Sequence, residues 1–98
     1  MYARVSRFAG LPPGRIEETV REFEEGQLPV IEQQPGFKGV LVAIDRAEGK
    51  AVAVTYWETQ ENLRASDKLA DQARAAAVAT GQPSREPIVD RYEVVISR

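Results

Sequence analysis

Two neighbouring stretches of this sequence are apolar on both faces of any strand that they form. One is Val40-Leu41-Val42-Ala43-Ile44 and the other is Ala51-Val52-Ala53-Val54, and neither alternates between apolar and polar residues. A strand with one face in water shows that alternation, because successive side chains point to opposite faces of a sheet. We therefore expect a sheet that is covered on both sides.

Segments rich in Gly and Pro divide the chain into six elements. Tyr2 to Phe8 is predicted to be a strand, since it has β-type residues and is followed by Gly10-Leu11-Pro12-Pro13-Gly14. A helix is predicted after Pro13, with Gly26 and Pro29 expected to kink or restart it. Its apolar residues follow one helical face: Ile16, Val20, Phe23, Leu28 and Ile31.

The second half of the chain repeats this change from strand to helix. A hairpin that contains Gly49 is predicted between two strands, and a second helix is predicted to begin at the cap residue Thr59 and to stop at Gly81 and Pro83. The stripe expected to be buried on that helix is Leu63, Ser66, Ala70, Ala73 and Ala77. The three predicted strands are Phe37 to Arg46, Lys50 to Trp57 and Ile88 to Ser97.

The order β-α-β-β-α-β predicts one ferredoxin-like α+β domain over residues 1–98, with a four-stranded antiparallel sheet and both helices on one face. Two helices cover only one face, and a chain this short gains from oligomerisation. We therefore expect a homodimer, a dimeric α/β barrel, that pairs through the open sheet faces of two copies. The alternative is that the second face of the sheet is exposed to water, which small residues such as Ala43, Ala51 and Ala53 permit without a partner.

Cysteine and histidine are both absent, which excludes disulfides, thiol nucleophiles, histidine-based triads and histidine-ligated zinc or haem. No calcium-binding spacing is present, so no metal site is expected. The net charge of −2 comes from interspersed acids and bases and favours neither nucleic acid nor a membrane as a partner. No apolar run approaches the length of a bilayer span and no secretory signal is visible, so we expect a cytoplasmic protein.

Two local motifs resemble a known family. The run Gln34-Pro35-Gly36-Phe37-Lys38-Gly39, and Tyr56-Trp57-Glu58-Thr59 leading into an alanine-rich helix, are similar to those of the antibiotic biosynthesis monooxygenase superfamily. The resemblance covers nearly the whole chain. It implies a dimeric barrel with a cavity between the sheet and helices of each protomer. Some members oxidise quinols or anthrones with oxygen and no cofactor, whereas others degrade haem, isomerise small molecules or have no assigned activity.

The haem-degrading members carry a histidine and a tryptophan on the second helix and an asparagine on the first strand. This chain has no histidine, its one asparagine is Asn62, and its one tryptophan is Trp57 at a strand end. The resemblance is therefore nearer to the cofactor-free oxidases, whose chemistry asks for an apolar pocket and a donor that stabilises an oxyanion. No cofactor is expected.

The candidate catalytic residues are Asn62, Trp57 and Arg74, and each has an ordinary structural alternative. Trp57 can simply anchor a strand against the second helix, Asn62 can support a helix cap, and Arg74 can extend to solvent instead of into a cavity. The candidate substrate-binding residues are Tyr56, Phe23, Leu63 and Tyr92.

The strand residues among these candidates have a second possible place. Tyr56 and Tyr92 are equally compatible with a dimer interface, and Arg4 is compatible with pairing with an acid across that interface. Two functions remain: a cofactor-independent monooxygenase acting on a small aromatic or quinol, and a non-catalytic ligand-binding or structural homodimer.

Overall fold

The computed structural model describes residues 1–98, and the protein is an α+β domain built on one four-stranded sheet. The strands are β1 (Tyr2–Phe8), β2 (Phe37–Asp45), β3 (Lys50–Trp57) and β4 (Ile88–Glu93). Their order in the sheet is β2-β3-β1-β4, and every neighbouring pair is antiparallel. The predicted fold class is therefore confirmed. The sheet of one chain is open, with β2 and β4 at its edges.

The first helical region is continuous but changes its winding near the predicted kink. It comprises a 3-10 turn (Pro13–Arg15), α1 (Ile16–Glu22), a π-helical segment (Phe23–Gln27) and α2 (Leu28–Ile31). The backbone N–H of Leu28 donates to the carbonyl of Phe23, which is the wider π-helical spacing. Because Pro29 has no N–H to donate, the helix widens just before it instead of ending.

The second helical region is divided into α3 (Gln60–Ala65) and α4 (Asp67–Gly81), where the sequence predicts one helix. The predicted cap is present, since Oγ1 of Thr59 accepts a 3.0 Å hydrogen bond from the backbone N–H of Asn62. The division falls at Ser66, whose Oγ donates a 2.7 Å hydrogen bond to the carbonyl of Leu63. A serine hydroxyl that bonds the preceding turn in this way competes with the regular helical pattern.

The last strand is shorter than predicted. Glu93 pairs with Tyr2, the first residue of β1, so the ladder ends there and not at Ser97. One further hydrogen bond runs from the N–H of Val94 to the carbonyl of Met1, at 2.8 Å. Val95 and Ile96 lie past the ladder and are 82% and 72% exposed.

The core lies between the helices and one face of the sheet. Ile31, Trp57, Leu63 and Ala73 form its buried centre. Trp57 is only 1% exposed, and its ring meets that of Phe37 edge to face, with centroids 5.7 Å apart. This arrangement is favourable for aromatic pairs and adds to the stabilisation from burial.

The opposite face of the sheet has no helix over it and is largely apolar, although it also carries the ion pair between Arg7 of β1 and Asp90 of β4. Tyr56 of β3 pairs with Ala3 of β1, which pairs with Tyr92 of β4, so these three residues form a row across that face. Leu41 and Tyr92 are each 48% exposed there. We call this surface the open face. None of the helices is both long and apolar enough to cross a membrane.

Candidate functional site

A cavity of about 90 Å³ lies between the sheet and the helices. Its floor is formed by alternate residues of β1 and β3, and its roof by α1, the π-helical segment and α4. Hydrophobic residues make up 14 of the 20 that line it. The remaining six are Arg4, Ser6, Thr19, Thr55, Ser66 and Arg74.

Arg4 provides the polar end of this cavity and is 3% exposed. Its Nη1 donates a 3.0 Å hydrogen bond to Oγ of Ser66, and its Nη2 donates a 2.8 Å hydrogen bond to the carbonyl of Leu63. Nη2 also forms an ion pair with Asp67 at the start of α4. The third nitrogen, Nε, is buried without a hydrogen-bond partner.

Arg74 reaches the same cavity from α4. Its side chain is 17% exposed, and one of its terminal nitrogens pairs with Asp71 in the preceding turn. The other, Nη1, is buried and has no hydrogen-bond partner. The cavity is therefore bordered by two guanidinium groups, each with one unused donor.

The surrounding charges do not balance these arginines fully. Burial lowers the pKa of the Arg4 guanidinium, although Asp67 acts in the opposite direction. Partial burial raises the pKa of Asp67, but hydrogen bonds from Arg91 and Arg4 outweigh it, so that pKa lies below its ordinary value. Ion pairs link Arg4 and Arg91 to Asp67 and Arg74 to Asp71, so three cations meet two anions.

Trp57 forms part of the cavity wall and is held in place by its own strand. Its Nε1 donates a 3.0 Å hydrogen bond to Oγ1 of Thr55, two residues earlier on the same face. Because the indole N–H is satisfied and the ring is buried, the wall at this point is rigid and apolar.

Three of the residues selected from the sequence lie together at the cavity: Trp57, Arg74 and Phe23. They come from β3, α4 and the π-helical segment, which meet only in the folded chain. Leu63 is 2% exposed and belongs to the core beside the cavity, outside its lining.

The other three selected residues lie elsewhere. Asn62 supports the start of α3, where its Oδ1 accepts a 2.7 Å hydrogen bond from Oγ1 of Thr59 and its side chain packs on the turn at Gly36. Tyr56 and Tyr92 lie on the open face, because their strand positions have the opposite parity to those of the cavity residues.

Arg4 is the main residue that the sequence did not identify as part of the site. The sequence offered it a pairing with an acid across a dimer interface, but it pairs with Asp67 of its own chain beneath the helices. A signal was present in Ser66, a polar residue within an otherwise apolar stripe, since a buried hydroxyl requires a hydrogen-bond partner.

No group of three or more Asp, Glu, His or Cys side chains is placed to hold a metal ion.

The fold and the site together define a ferredoxin-like α+β domain with an apolar cavity under its helices. The model of the family described as antibiotic biosynthesis monooxygenase matches residues 1–78. The chain therefore belongs to the antibiotic biosynthesis monooxygenase family. No curated protein sequence is significantly similar to it.

Solved structures of the same fold come from several bacteria. A monooxygenase from the gene ActVA-Orf6 of Streptomyces coelicolor, in complex with nanaomycin D, has 17% identity and a TM-score of 0.81, covering 99% of this chain and 89% of that one. SnoaB of Streptomyces nogalater, a cofactor-independent oxygenase, has 17% identity and a TM-score of 0.67, covering 98% and 94%. MhuD of Mycobacterium tuberculosis, a haem degrader with two haems bound, has 23% identity and a TM-score of 0.64, covering 98% of each chain. At these identities the similarity shows the shared fold.

Proposed function

We propose that this protein is a cofactor-independent monooxygenase that oxidises a small aromatic hydroquinone with O2 in the cavity between sheet and helices. The observation that carries the proposal is the apolar cavity bordered by the buried guanidinium group of Arg4 and the half-buried one of Arg74, in a chain of the antibiotic biosynthesis monooxygenase family. The structure of a cofactor-independent oxygenase with the same fold supports it further.

The proposed reaction needs only the aromatic substrate and O2. The hydroquinone loses one proton to solvent, and its anion transfers one electron to O2. The resulting radical and superoxide combine, so that a carbon–oxygen bond forms and gives a hydroperoxide after protonation. The oxygen–oxygen bond and the carbon–hydrogen bond then break, and water leaves. The substrate gives up four electrons in total, one oxygen atom enters the hydroxylated quinone, and the other leaves in water.

The cavity contributes to this reaction mainly through its environment. Apolar walls formed by Trp57, Phe23 and the alanines of α4 remove water from around the substrate anion. An anion without its hydration shell is a stronger electron donor to O2, which is itself small and apolar. The protein thus favours the first electron transfer by replacing water with a fixed environment.

Oxygen consumption with a panel of single-ring hydroquinones, corrected for the rate without protein, tests this proposal. Ala70 lines the cavity and Ala75, on the same helix, is exposed. Ala70→Phe fills the cavity and is expected to abolish protein-dependent turnover, whereas the matched change Ala75→Phe is expected to retain it. Thermal unfolding of both variants checks that they fold. Absence of protein-dependent oxygen consumption across the panel would refute the monooxygenase.

One observation favours the second candidate, a non-catalytic ligand-binding homodimer. No Asp, Glu, His or Tyr lines the cavity, so no side chain there is placed to accept a proton from the substrate. Binding of a hydroquinone without oxygen consumption would support this candidate. Oxygen consumption by the wild type that is lost in Ala70→Phe would exclude the non-catalytic candidate.

We also propose that two copies pair through their open faces. The row of Tyr56, Ala3 and Tyr92, together with exposed Leu41, is the kind of apolar surface that a partner sheet covers. Leu41→Lys is expected to give monomers in sedimentation velocity. Val30→Lys, at a residue of α2 with a similar exposure of 47%, is expected to leave the dimer intact. A wild-type monomer at micromolar concentration would contradict the proposal.

The cytoplasmic location expected from the sequence also stays a proposal. Fractionation of cells that produce the full-length protein checks it, and recovery of the protein outside the cytoplasmic fraction would contradict it.

A further inference from the structure

The cavity between the sheet and the helices is too small, as it stands, for the aromatic ring that the proposed function requires. Its volume is about 90 Å³, whereas a cavity that takes up benzene measures roughly 150 Å³. Protein interiors are close-packed, so small adjustments of the lining side chains do not supply the missing volume. One part of the cavity wall therefore has to move before a ring enters.

The floor and most of the roof are held firmly. β1 and β3, which form the floor, are paired along the whole of β1, and α4 is an uninterrupted helix of 15 residues. α1 is fastened to α4, because the hydroxyl of Thr80 donates a hydrogen bond to the carboxylate of Glu22. Gly81 also packs closely on α1, where an added Cβ would lie 3.0 Å from the hydroxyl oxygen of Thr19. These elements are expected to stay in place when a ligand enters.

The π-helical segment Phe23–Gln27 lies between two fixed points. Glu22, just before it, is held to α4, and Ile31, in the helix that follows, is 5% exposed and belongs to the centre of the core. None of the five residues of the segment is buried, and a Cβ added at Gly26 would meet no atom within 4 Å. Single π-helical turns are frequent at functional sites, and a glycine gives this one additional backbone freedom. The segment is therefore the part of the roof with the fewest restraints.

Phe23, the first residue of this segment, connects it to the cavity. The side chain is half-buried, lines the cavity and packs against the centre of the core, which contains Trp57. The carbonyl of the same residue accepts the hydrogen bond from Leu28 that gives the segment its π-helical spacing. A change in the winding of the segment therefore turns the ring of Phe23. When that ring leaves the cavity, it vacates the space of one aromatic ring.

We infer that the π-helical segment is the movable part of the roof and that Phe23 is the gate that sets which rings enter the cavity. An incoming single ring takes the place of the Phe23 ring, so burial of one apolar ring compensates for exposure of the other. A fused system of two rings exceeds the vacated space and is excluded. This inference rests on the proposed function and adds the step that limits the size of its substrate.

Stopped-flow quenching of tryptophan fluorescence by nitrobenzene tests the gate without any turnover. Nitrobenzene is a single ring that quenches indole fluorescence and does not react with O2. Trp57 is the only tryptophan, lines the cavity and is 1% exposed, so its quenching reports entry into the cavity. Because the roof has to open first, the quenching rate is expected to reach a plateau as the nitrobenzene concentration rises. 1-Nitronaphthalene, with two fused rings, is expected to bind at least about tenfold more weakly.

The variant that tests the movement is Gly26→Ala, which stiffens the segment without a collision. The plateau rate is expected to fall about two- to fivefold, as the loss of backbone freedom predicts, with no loss of thermal stability. Gly14→Ala is the matched control, since a Cβ there also meets no atom within 4 Å. Gly14 lies in the 3-10 turn before α1, outside the cavity lining, so this variant is expected to keep the wild-type plateau.

The variant that tests the gate residue is Phe23→Ala. It is expected to take up nitrobenzene at a rate that rises linearly with concentration, and to bind 1-nitronaphthalene about as tightly as nitrobenzene. Thermal unfolding checks that the variant folds. If it does not fold, the comparison of Gly26→Ala with Gly14→Ala decides the inference alone.

Several results would each overturn the gate: a linear rate in the wild type, the same plateau in both glycine variants, equal wild-type affinity for one and two rings, or no binding of nitrobenzene. The outcome is separable from that of the proposed oxidation. A protein that shows the plateau and its dependence on Gly26 but consumes no oxygen retains the gate and loses the monooxygenase. A protein that oxidises hydroquinones but takes up nitrobenzene without a plateau retains the monooxygenase and loses the gate.

Discussion

Nη1 of Arg4 donates a 3.0 Å hydrogen bond to Oγ of Ser66, a residue 62 positions further along the chain. This contact joins β1 to the junction between α3 and α4 at the polar end of the cavity. Ser66 in turn donates to the carbonyl of Leu63, which also accepts from Arg4. The junction of the two helices and the position of the buried guanidinium therefore depend on each other.

Replacing Asp67 by Asn is expected to destabilise the protein by about 1–3 kcal/mol. The change leaves the buried charge of Arg4 without its carboxylate partner, which is costly in a dry environment. The expected loss lies below that of a fully buried pair, because the side chain of Asp67 is 39% exposed. Urea unfolding measures the change in the free energy of unfolding.

Glu17→Gln is the matched control for that measurement. Glu17 pairs with Arg46, and both side chains are well exposed. Water screens such a pair, so the expected change in the free energy of unfolding is at most about 0.5 kcal/mol. Equal losses in the two variants would show that burial of Arg4 does not set the cost.

Stability is expected to fall in acid through Asp67. Its pKa in the folded protein is below the ordinary value of 3.8, so the unfolded chain takes up the proton first. The ionised carboxylate therefore stabilises the fold above about pH 4, and this stabilisation is lost as the pH falls through the folded-state pKa. The difference in unfolding midpoint between wild type and Asp67→Asn should shrink between neutral pH and about pH 3. A difference that stays constant or grows would contradict this account.

The strands were predicted well where local residues define them. The limits of β3, Lys50 and Trp57, match the prediction, because the Gly49 turn precedes the strand and the Thr59 cap follows it. The end of β4 was wrong, since apolar residues continue to Ile96 but the neighbouring strand offers no pairing beyond Tyr2. When a strand ends because the neighbouring strand ends, the residues of the strand itself do not show where it stops.

The same distinction applies to the site. Trp57 and Arg74 were selected correctly from the spacing of residues along the chain. Trp57 ends a predicted strand, and Arg74 lies next to the predicted buried stripe of the second helix. Arg4 was assigned to the wrong face because its acidic partner, Asp67, is 63 residues away and becomes its neighbour only on folding. The division of the second helix at Ser66 was also missed: there the Ser66 hydroxyl donates to the carbonyl of Leu63 and accepts from Arg4, which is distant in sequence.

Replacing Gly49 by Ala is expected to cost about 2 kcal/mol. Gly49 has a φ of +64°, and an added Cβ would lie 2.7 Å from the backbone oxygen of Leu11. The strained conformation and the collision with backbone both oppose the substitution. Gly26→Ala is the control, since a Cβ there meets no atom within 4 Å and alanine favours a helix. Thermal unfolding of both variants should show a loss only for Gly49→Ala.

Haemin is not expected to bind in the cavity of this protein, in contrast to the mycobacterial haem degrader of the same fold, whose structure holds two haems. Iron in haem proteins is held by histidine, cysteine, methionine or tyrosine. The sequence has no histidine or cysteine, and no methionine or tyrosine lines the cavity. A cavity of about 90 Å³ is also far too small for a porphyrin unless the roof helices move away from the sheet. Titration with haemin, followed in the Soret band beside the mycobacterial protein as a positive control, should show no saturable shift at one equivalent. A stoichiometric shift would contradict this expectation and would mean that the roof helices move away from the sheet when haemin binds.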